Sequence, residues 1–247
     1  MSHHPVKRAT AGRVVLLLLV FALLVAAVAA VPAMAASTPT TLNVTAQKPS
    51  VNWGATAILN GVLQTNANPP VPVDQQQVLV QFATTSNAIL WTTAATVTNT
   101  AAPYSSGAYT YSFTASRNLY WMMSFAGTTE WAHIDSNVVY VQVRAVVGKP
   151  ACPSSIKHGK KFTVSGSLKP LFPAGTSVQV KAQKYAHGKW RAYKTYTATT
   201  ANSGSFSKYS VKLSISSKGK YRFSATSAAT STLAAGTSAY SRSLRIK

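Results

Sequence analysis

Glu130, His133 and Asp135, in the stretch TTEWAHIDS, are the one close group of acid–base or metal-ligand side chains in this chain of 247 residues. Acid–base catalysis needs two such groups held at a bond with separated proton affinities. Metal motifs need ligands at spacings that converge on one point, as H-E-x-x-H does on a helix. The spacing here matches no such motif, and the segment reads as a polar loop. No serine stands in G-x-S-x-G, and no glycine-rich loop is built to cradle phosphate. His158 and His187 sit in Gly- and Lys-rich turns and read as surface histidines. Cys152 is the only cysteine, so no intrachain disulfide forms. In an exported chain a lone cysteine implies intermolecular pairing or a free thiol. The expectation is a protein that is not an enzyme, with no catalytic residues, no metal and no cofactor.

The charge is more informative. The chain holds 24 Lys and Arg against 3 Asp and Glu, for a net charge of +21. Residues 36–147 carry three bases (Lys48, Arg117, Arg144) and all three acids. Residues 148–247 carry 18 bases and no acid. Lysine guards strand edges against aggregation, but that use does not require excluding every carboxylate. A field of one sign concentrates polyanions and speeds their capture. The expected partner is an anionic cell-wall polymer or polysaccharide, with an anionic membrane surface as a further possibility and nucleic acid bound only non-specifically.

The elements that must carry this charge begin after an export signal. Lys7, Arg8 and Arg13 precede an unbroken apolar run over 14–31, followed by Pro32 and Ala33-Met34-Ala35. A basic region, an apolar core and an A-x-A site are the order of a secretory signal peptide. Residues 1–35 are expected to be that peptide, cut after Ala35, which leaves no integral membrane span. A retained anchor is the alternative, since 18 apolar residues just reach across a bilayer. Either way the remainder is placed outside the cytoplasm, secreted or associated with the cell wall.

Short alternating runs broken by Gly, Pro, Ser and Asn follow, the pattern of a β-sandwich or barrel. They repeat. VNWGATAILNGVLQ (51–64) parallels IKHGKKFTVSGSLK (156–169), VLVQFA (78–83) parallels VQVKAQ (178–183), and WTTAATVT (91–98) parallels WRAYKTYT (190–197). SGAYTYSFT (106–114) parallels SGSFSKYSV (203–211), and LYWMMSF (119–125) parallels KYRFSAT (220–226). NVVYVQVRA (137–145) loosely parallels SRSLRIK (241–247). The expected division is a first domain over 36–147, a linker over 148–155 around GKPACPSS, and a second domain over 156–247.

Trp91, Gly107, Tyr109, Tyr120 and the strand 139–143, then Trp190, Gly204, Phe206, Tyr221 and the strand 244–246, carry a resemblance. Their order resembles the tandem Ig-like repeats of secreted bacterial proteins, especially actinobacterial ones. The resemblance implies an all-β fold of two tandem Ig-like β-sandwich domains after the signal helix. It implies no particular function, because such modules serve as spacers, adhesive units and appendages.

Strands alternate their side chains, so the two faces can be assigned. In the second domain Val178, Val180, Ala182, Tyr209, Val211, Leu213, Tyr221, Phe223, Leu244 and Ile246 are expected inside. Lys181, Lys220, Arg222, Arg245 and Lys247 are expected together on one exposed sheet face, as the polyanion-binding residues. In the first domain the same reading puts Tyr120 and Met122 inside and Leu79, Trp121, Met123 and Tyr140 outside, a face for a glycan or a protein partner. Packing against the other domain, a dimer contact, or a one-residue slip that buries these residues are the alternatives. The low-complexity stretch 227–239 is expected to be a tip loop that presents contacts. Together these point to an exported binding module that associates with the cell envelope or an extracellular polyanion through its basic domain. The alternative is a structural spacer or subunit of a surface assembly that contacts a protein partner through the aromatic face of the first domain.

Overall fold

The computed structural model describes residues 36–99 and 106–247; the expected signal peptide lies outside the described residues. Alternating runs rich in Thr, Val and Tyr form strands throughout. No helix occurs among the described residues, so none is long and apolar enough to cross a membrane.

The first half contains β1 (Thr40–Ala46), β2 (Ser50–Asn52), β3 (Thr56–Thr65), β4 (Gln77–Ala83), β5 (Thr92–Thr98), β6 (Ala108–Thr114), β7 (Leu119–Phe125), β8 (Ile134–Asp135) and β9 (Val139–Arg144). They make a three-stranded sheet, β1-β3-β6, and a second sheet ordered β2-β9-β7-β4-β5, with β8 on β7. The second half contains β10 (Val146–Val147), β11 (Ser155–Ile156), β12 (Lys161–Lys169), β13 (Ser177–Ala186), β14 (Lys189–Ser203), β15 (Phe206–Ser214), β16 (Gly219–Ser227) and β17 (Leu244–Ile246). Its strands form one continuous sheet, β10-β12-β15-β14-β13-β16-β17-β11. The join is β14, which pairs with β13 along its first part and with β15 through 199–203.

The pairings of the first half recur in the second. β3 pairs β6 as β12 pairs β15, β4 pairs β5 and β7 as β13 pairs β14 and β16, and β7 pairs β9 as β16 pairs β17. In each half the entering segment divides. Its first piece runs antiparallel to one strand (β1 on β3, β10 on β12), and its second runs parallel to another (β2 on β9, β11 on β17).

The registers correct one sequence alignment. Val80 stands opposite Met123, and its counterpart Val180 stands opposite Ala225. Leu119 therefore corresponds to Tyr221, not to Lys220, and the match over β7 and β16 is displaced by one residue. Since side chains alternate with a period of two, that slip exchanges the faces of β7, although Met122, expected inside, is buried as well at 7% exposure. Trp121 is 3% exposed and Met123 0%; both lie in the core, and Tyr120 takes the outward face. Trp121 packs its ring against Phe113 at 4.2 Å, Phe82 at 5.4 Å and Tyr111 at 6.0 Å. Trp121 and Met123, expected on the face for a glycan or a protein partner, are thus core packing.

In the second half Val178, Val180, Ala182, Tyr209, Leu213, Tyr221, Phe223, Leu244 and Ile246 are buried, and Val211 is half-buried. Tyr209 lies opposite Gly166, where a Cβ would collide with its phenol. That phenol donates to Gly148 O at 2.8 Å. Its counterpart Tyr109 donates to Gln76 O at 3.0 Å. Burial pushes both hydroxyls well above the usual tyrosine range, with Asp74 adding to the shift at Tyr109.

The segment 148–155 is not a free linker. Gly148 N donates to Ser167 O at 2.7 Å, Ala151 exchanges bonds with Ser165, and Ser154 O accepts from Arg245 N at 2.9 Å. It carries the chain from the β12 edge to the β17 edge.

Residues 38–247 form one compact unit. Its two halves meet through the stretch 227–239, which is not a free tip. Ala234 N donates to Val143 O at 2.8 Å, Ala145 N to Ala234 O at 3.2 Å, and Asn118 N to Thr232 O at 2.7 Å. Gly236 is required by the closeness of this approach, because a Cβ there would strike the Ala145 carbonyl.

Two outcomes follow from this packing. Gly236→Ala should cost about 1–3 kcal/mol, and hydrogen exchange should show faster exchange at Ala145 and Ala234 than in the parent. The buried tyrosines make stability alkali-sensitive. Their folded-state pKa values are raised, so their contribution is intact below about pH 10 and is lost as pH climbs beyond it. Tyr209→Phe should lose about 1 kcal/mol at pH 7 yet show a shallower decline between pH 10 and 11.5 in denaturant titrations; an equal decline would contradict the assignment.

Candidate polyanion-binding face

β13, β16 and β17 present alternate residues to solvent because Val178, Val180, Ala182, Tyr221, Phe223, Leu244 and Ile246 are drawn into the core. Register then sets which outward residues meet. Lys181 pairs Ser224, Gln183 pairs Arg222, and Lys220 pairs Arg245. Lys181, Lys220, Arg222 and Arg245 therefore share one face, and Lys247 continues the alternation past Arg245. All are exposed except Arg222, which is half-buried.

Lys220 directly opposite Arg245 is a like-charge pair, an arrangement that destabilises a sheet unless something offsets it. No acid exists in this half to do so. In the first half His133 Nε2 lies 3.8 Å from Asp135 Oδ1.

Arg222 is held differently from the lysines. Its guanidinium lies 4.5 Å from the Trp190 ring centroid and 3.8 Å from that of Tyr240, and its Nε donates to Gln183 Oε1 at 2.8 Å. Trp190 in turn meets Tyr185 edge-on at 5.2 Å. An open groove of about 320 Å³ is lined by Lys181, Gln183, Ala192, Tyr193, Lys194, Thr195, Ser224 and Tyr240, and Arg222 adjoins it through its contacts with Gln183 and Tyr240. Tyr240 is 38% exposed. Two nearly buried serines fix the segment that carries it: Ala225 N donates to Ser238 Oγ at 2.8 Å and Phe223 N to Ser241 Oγ at 3.0 Å. Sequence reasoning singled out Trp190 only as the head of its strand and passed over Gln183 and Tyr240. Gln183 was accessible by alternation from Lys181. Tyr240 has no periodic signal, since a loop closure places it.

The first half offers a neutral version of the same face. Gln81, Tyr120 and Gln142 stand where Lys181, Arg222 and Arg245 stand. Of the residues expected there, Leu79 and Tyr140 do face outward, half-buried and exposed, and the Tyr140 ring packs tilted against Tyr120 at 4.8 Å.

The remaining candidates have structural partners. His133 Nδ1 lies 2.7 Å from Phe125 O, and Thr128 Oγ1 accepts from Glu130 N and Trp131 N, closing a turn. Glu130 O accepts from Thr38 N. No group of three metal-type side chains converges among the described residues. Cys152 is buried, with its sulfur 3.7 Å from Ser241 Oγ and 3.6 Å from Arg242 O. Burial raises its pKa, against smaller lowering effects from Ser241 and Arg242. The chain matches no family model, and no curated protein is detectably similar to it.

Because the Cys152 thiol is buried and its thiolate disfavoured, a thiol reagent at pH 8 should label the native chain at least about a hundredfold more slowly than the denatured one. Labelling at the same rate in both would place Cys152 at the surface.

Proposed function

We propose that this chain is an exported, non-enzymatic module of two tandem Ig-like domains that binds an anionic cell-wall polymer or polysaccharide through its second half. The carrying observation is the gathering of Lys181, Lys220, Arg222 and Arg245 on one open sheet face with no compensating carboxylate. Unrelieved like charge favours any state in which anions sit between the bases. The Ig-like reading draws support from the two sheets of the first half, and from the strand pairings and the divided entering segment that recur in the second. Secretion rests on the basic, apolar and small-residue order of 1–35.

A second reading, a spacer in a surface assembly, is favoured by the junction. The bonds of Ala234 and Asn118 fix the halves to each other as a stiff joint would require. In that reading the positive charge serves solubility.

The purified chain should bind isolated cell walls, or an immobilised acidic polysaccharide, at low salt. It should elute as ionic strength shortens the screening length below about 8 Å. Replacing Lys181, Arg222 and Arg245 together by Gln should weaken binding at least about tenfold. Retention that ignores salt and the triple replacement would favour the spacer reading.

A further inference from the structure

Charge alone does not explain how Arg222 is built. Four of the bases on this face, Lys181, Lys220, Arg245 and Lys247, are exposed side chains that any anion could attract from many directions. Arg222 is not free in that sense. Two aromatic rings and an amide oxygen fix its plane, at 4.5 Å, 3.8 Å and 2.8 Å. A planar guanidinium with a settled orientation presents paired donors in one direction, which suits an oxyanion approaching in the same plane. Because the orientation is already set, less freedom is lost when the anion arrives.

The surroundings match a sugar that carries such a group. Tyr240 borders the groove; Arg222 covers one face of its ring, and the exposed remainder offers an apolar surface with a polar tip. Exposed Thr195 and half-buried Gln183 supply hydroxyl and amide groups of the kind that bond sugar hydroxyls, and Lys181 and Lys194 also line the groove. The groove is open, as a site on a polymer must be, since the chain has to enter and leave at both ends. A bare polyphosphate would use the bases but leave the aromatic border and the small polar floor without purpose.

On the reading that this face captures polyanions, we infer that the groove beside Arg222 is a subsite for one residue of an acidic polysaccharide. Its ring lies against Tyr240 and its oxyanion, carboxylate or sulfate, meets Arg222 and Lys181. Trp190 and Gln183 are positioning residues, acting through the orientation of Arg222.

The test compares charge-preserving with charge-removing variants of the full chain. Binding to polygalacturonate, a sulfated glycan, inorganic polyphosphate and single-stranded DNA is measured at fixed ionic strength, with near-ultraviolet circular dichroism verifying the fold of each variant. Arg222→Lys keeps the charge and loses the fork and stack. It should weaken both glycans about tenfold, with polyphosphate nearly unchanged. Tyr240→Ala should weaken the glycans and spare polyphosphate. Lys212→Gln, a control removing an exposed base on β15, should alter all four equally and slightly. The two acidic glycans separate carboxylate from sulfate by which one shows the larger Arg222→Lys effect. Glycan binding indifferent to Arg222→Lys and Tyr240→Ala would overturn the subsite while leaving general polyanion capture intact. Tighter binding of DNA, with the same dependence on both residues, would overturn the sugar assignment. Absence of binding to every polyanion would remove the underlying reading as well.

Discussion

Cross-strand register between the two central strands of each half governs what the molecule offers to solvent. Val180 opposite Ala225 puts Lys181, Arg222 and Lys220 outward; Val80 opposite Met123 puts Trp121 inward. Moving either pairing by one residue would bury charges in one half and expose an aromatic cluster in the other, each costly by several mechanisms at once. The core volumes hold the pairing in place. Trp121 fills the first half against Phe113, and Phe223 fills the equivalent place near Phe162. The basic face is thus a consequence of apolar side chains on its reverse.

The same framework carries two different surfaces. Inward positions remain apolar in both halves, whereas Gln81, Tyr120 and Gln142 give way to Lys181, Arg222 and Arg245. A sandwich tolerates this because outward residues on an open sheet contribute little to packing. The loop preceding the last strand also recurs in its role. In the second half Ala234 grips the chain entering from Val143 and Ala145; in the first, Glu130 and Ala132 bond Thr38 in the same manner. Each half therefore clasps the segment that leads into it.

Legibility from the sequence followed the clarity of the alternation. VQVKAQ alternates without ambiguity, so the inner and outer residues of β13 could be assigned from the sequence, as could the basic residues that share its face. LYWMMSF is apolar at nearly every position, and a period of two is silent where both faces are hydrophobic. The alignment with the second half then decided the register, and it was displaced by one. The segment around Cys152 looked like a linker because Pro150 and Pro153 break the pattern. Prolines are also tolerated where a strand leaves one sheet edge for another, and that is how the chain uses them. Tyr240 and the docking of 227–239 depend on contacts distant in sequence, of which composition carries no trace.

The divided entering segment has a mechanical consequence. In the second half the chain arrives along β11 and departs along β17, two strands that run parallel. Tension drawn between arrival and departure pulls these neighbours in opposite directions along their common axis. Their bonds, with those of His158 and Lys247 beside them, are then loaded together in shear instead of opening one after another from an end. The first half repeats the geometry with β2 against β9. A chain stretched between two attachments would meet this resistance twice in succession, and its lifetime under load would be set by the rate at which those parallel contacts rupture.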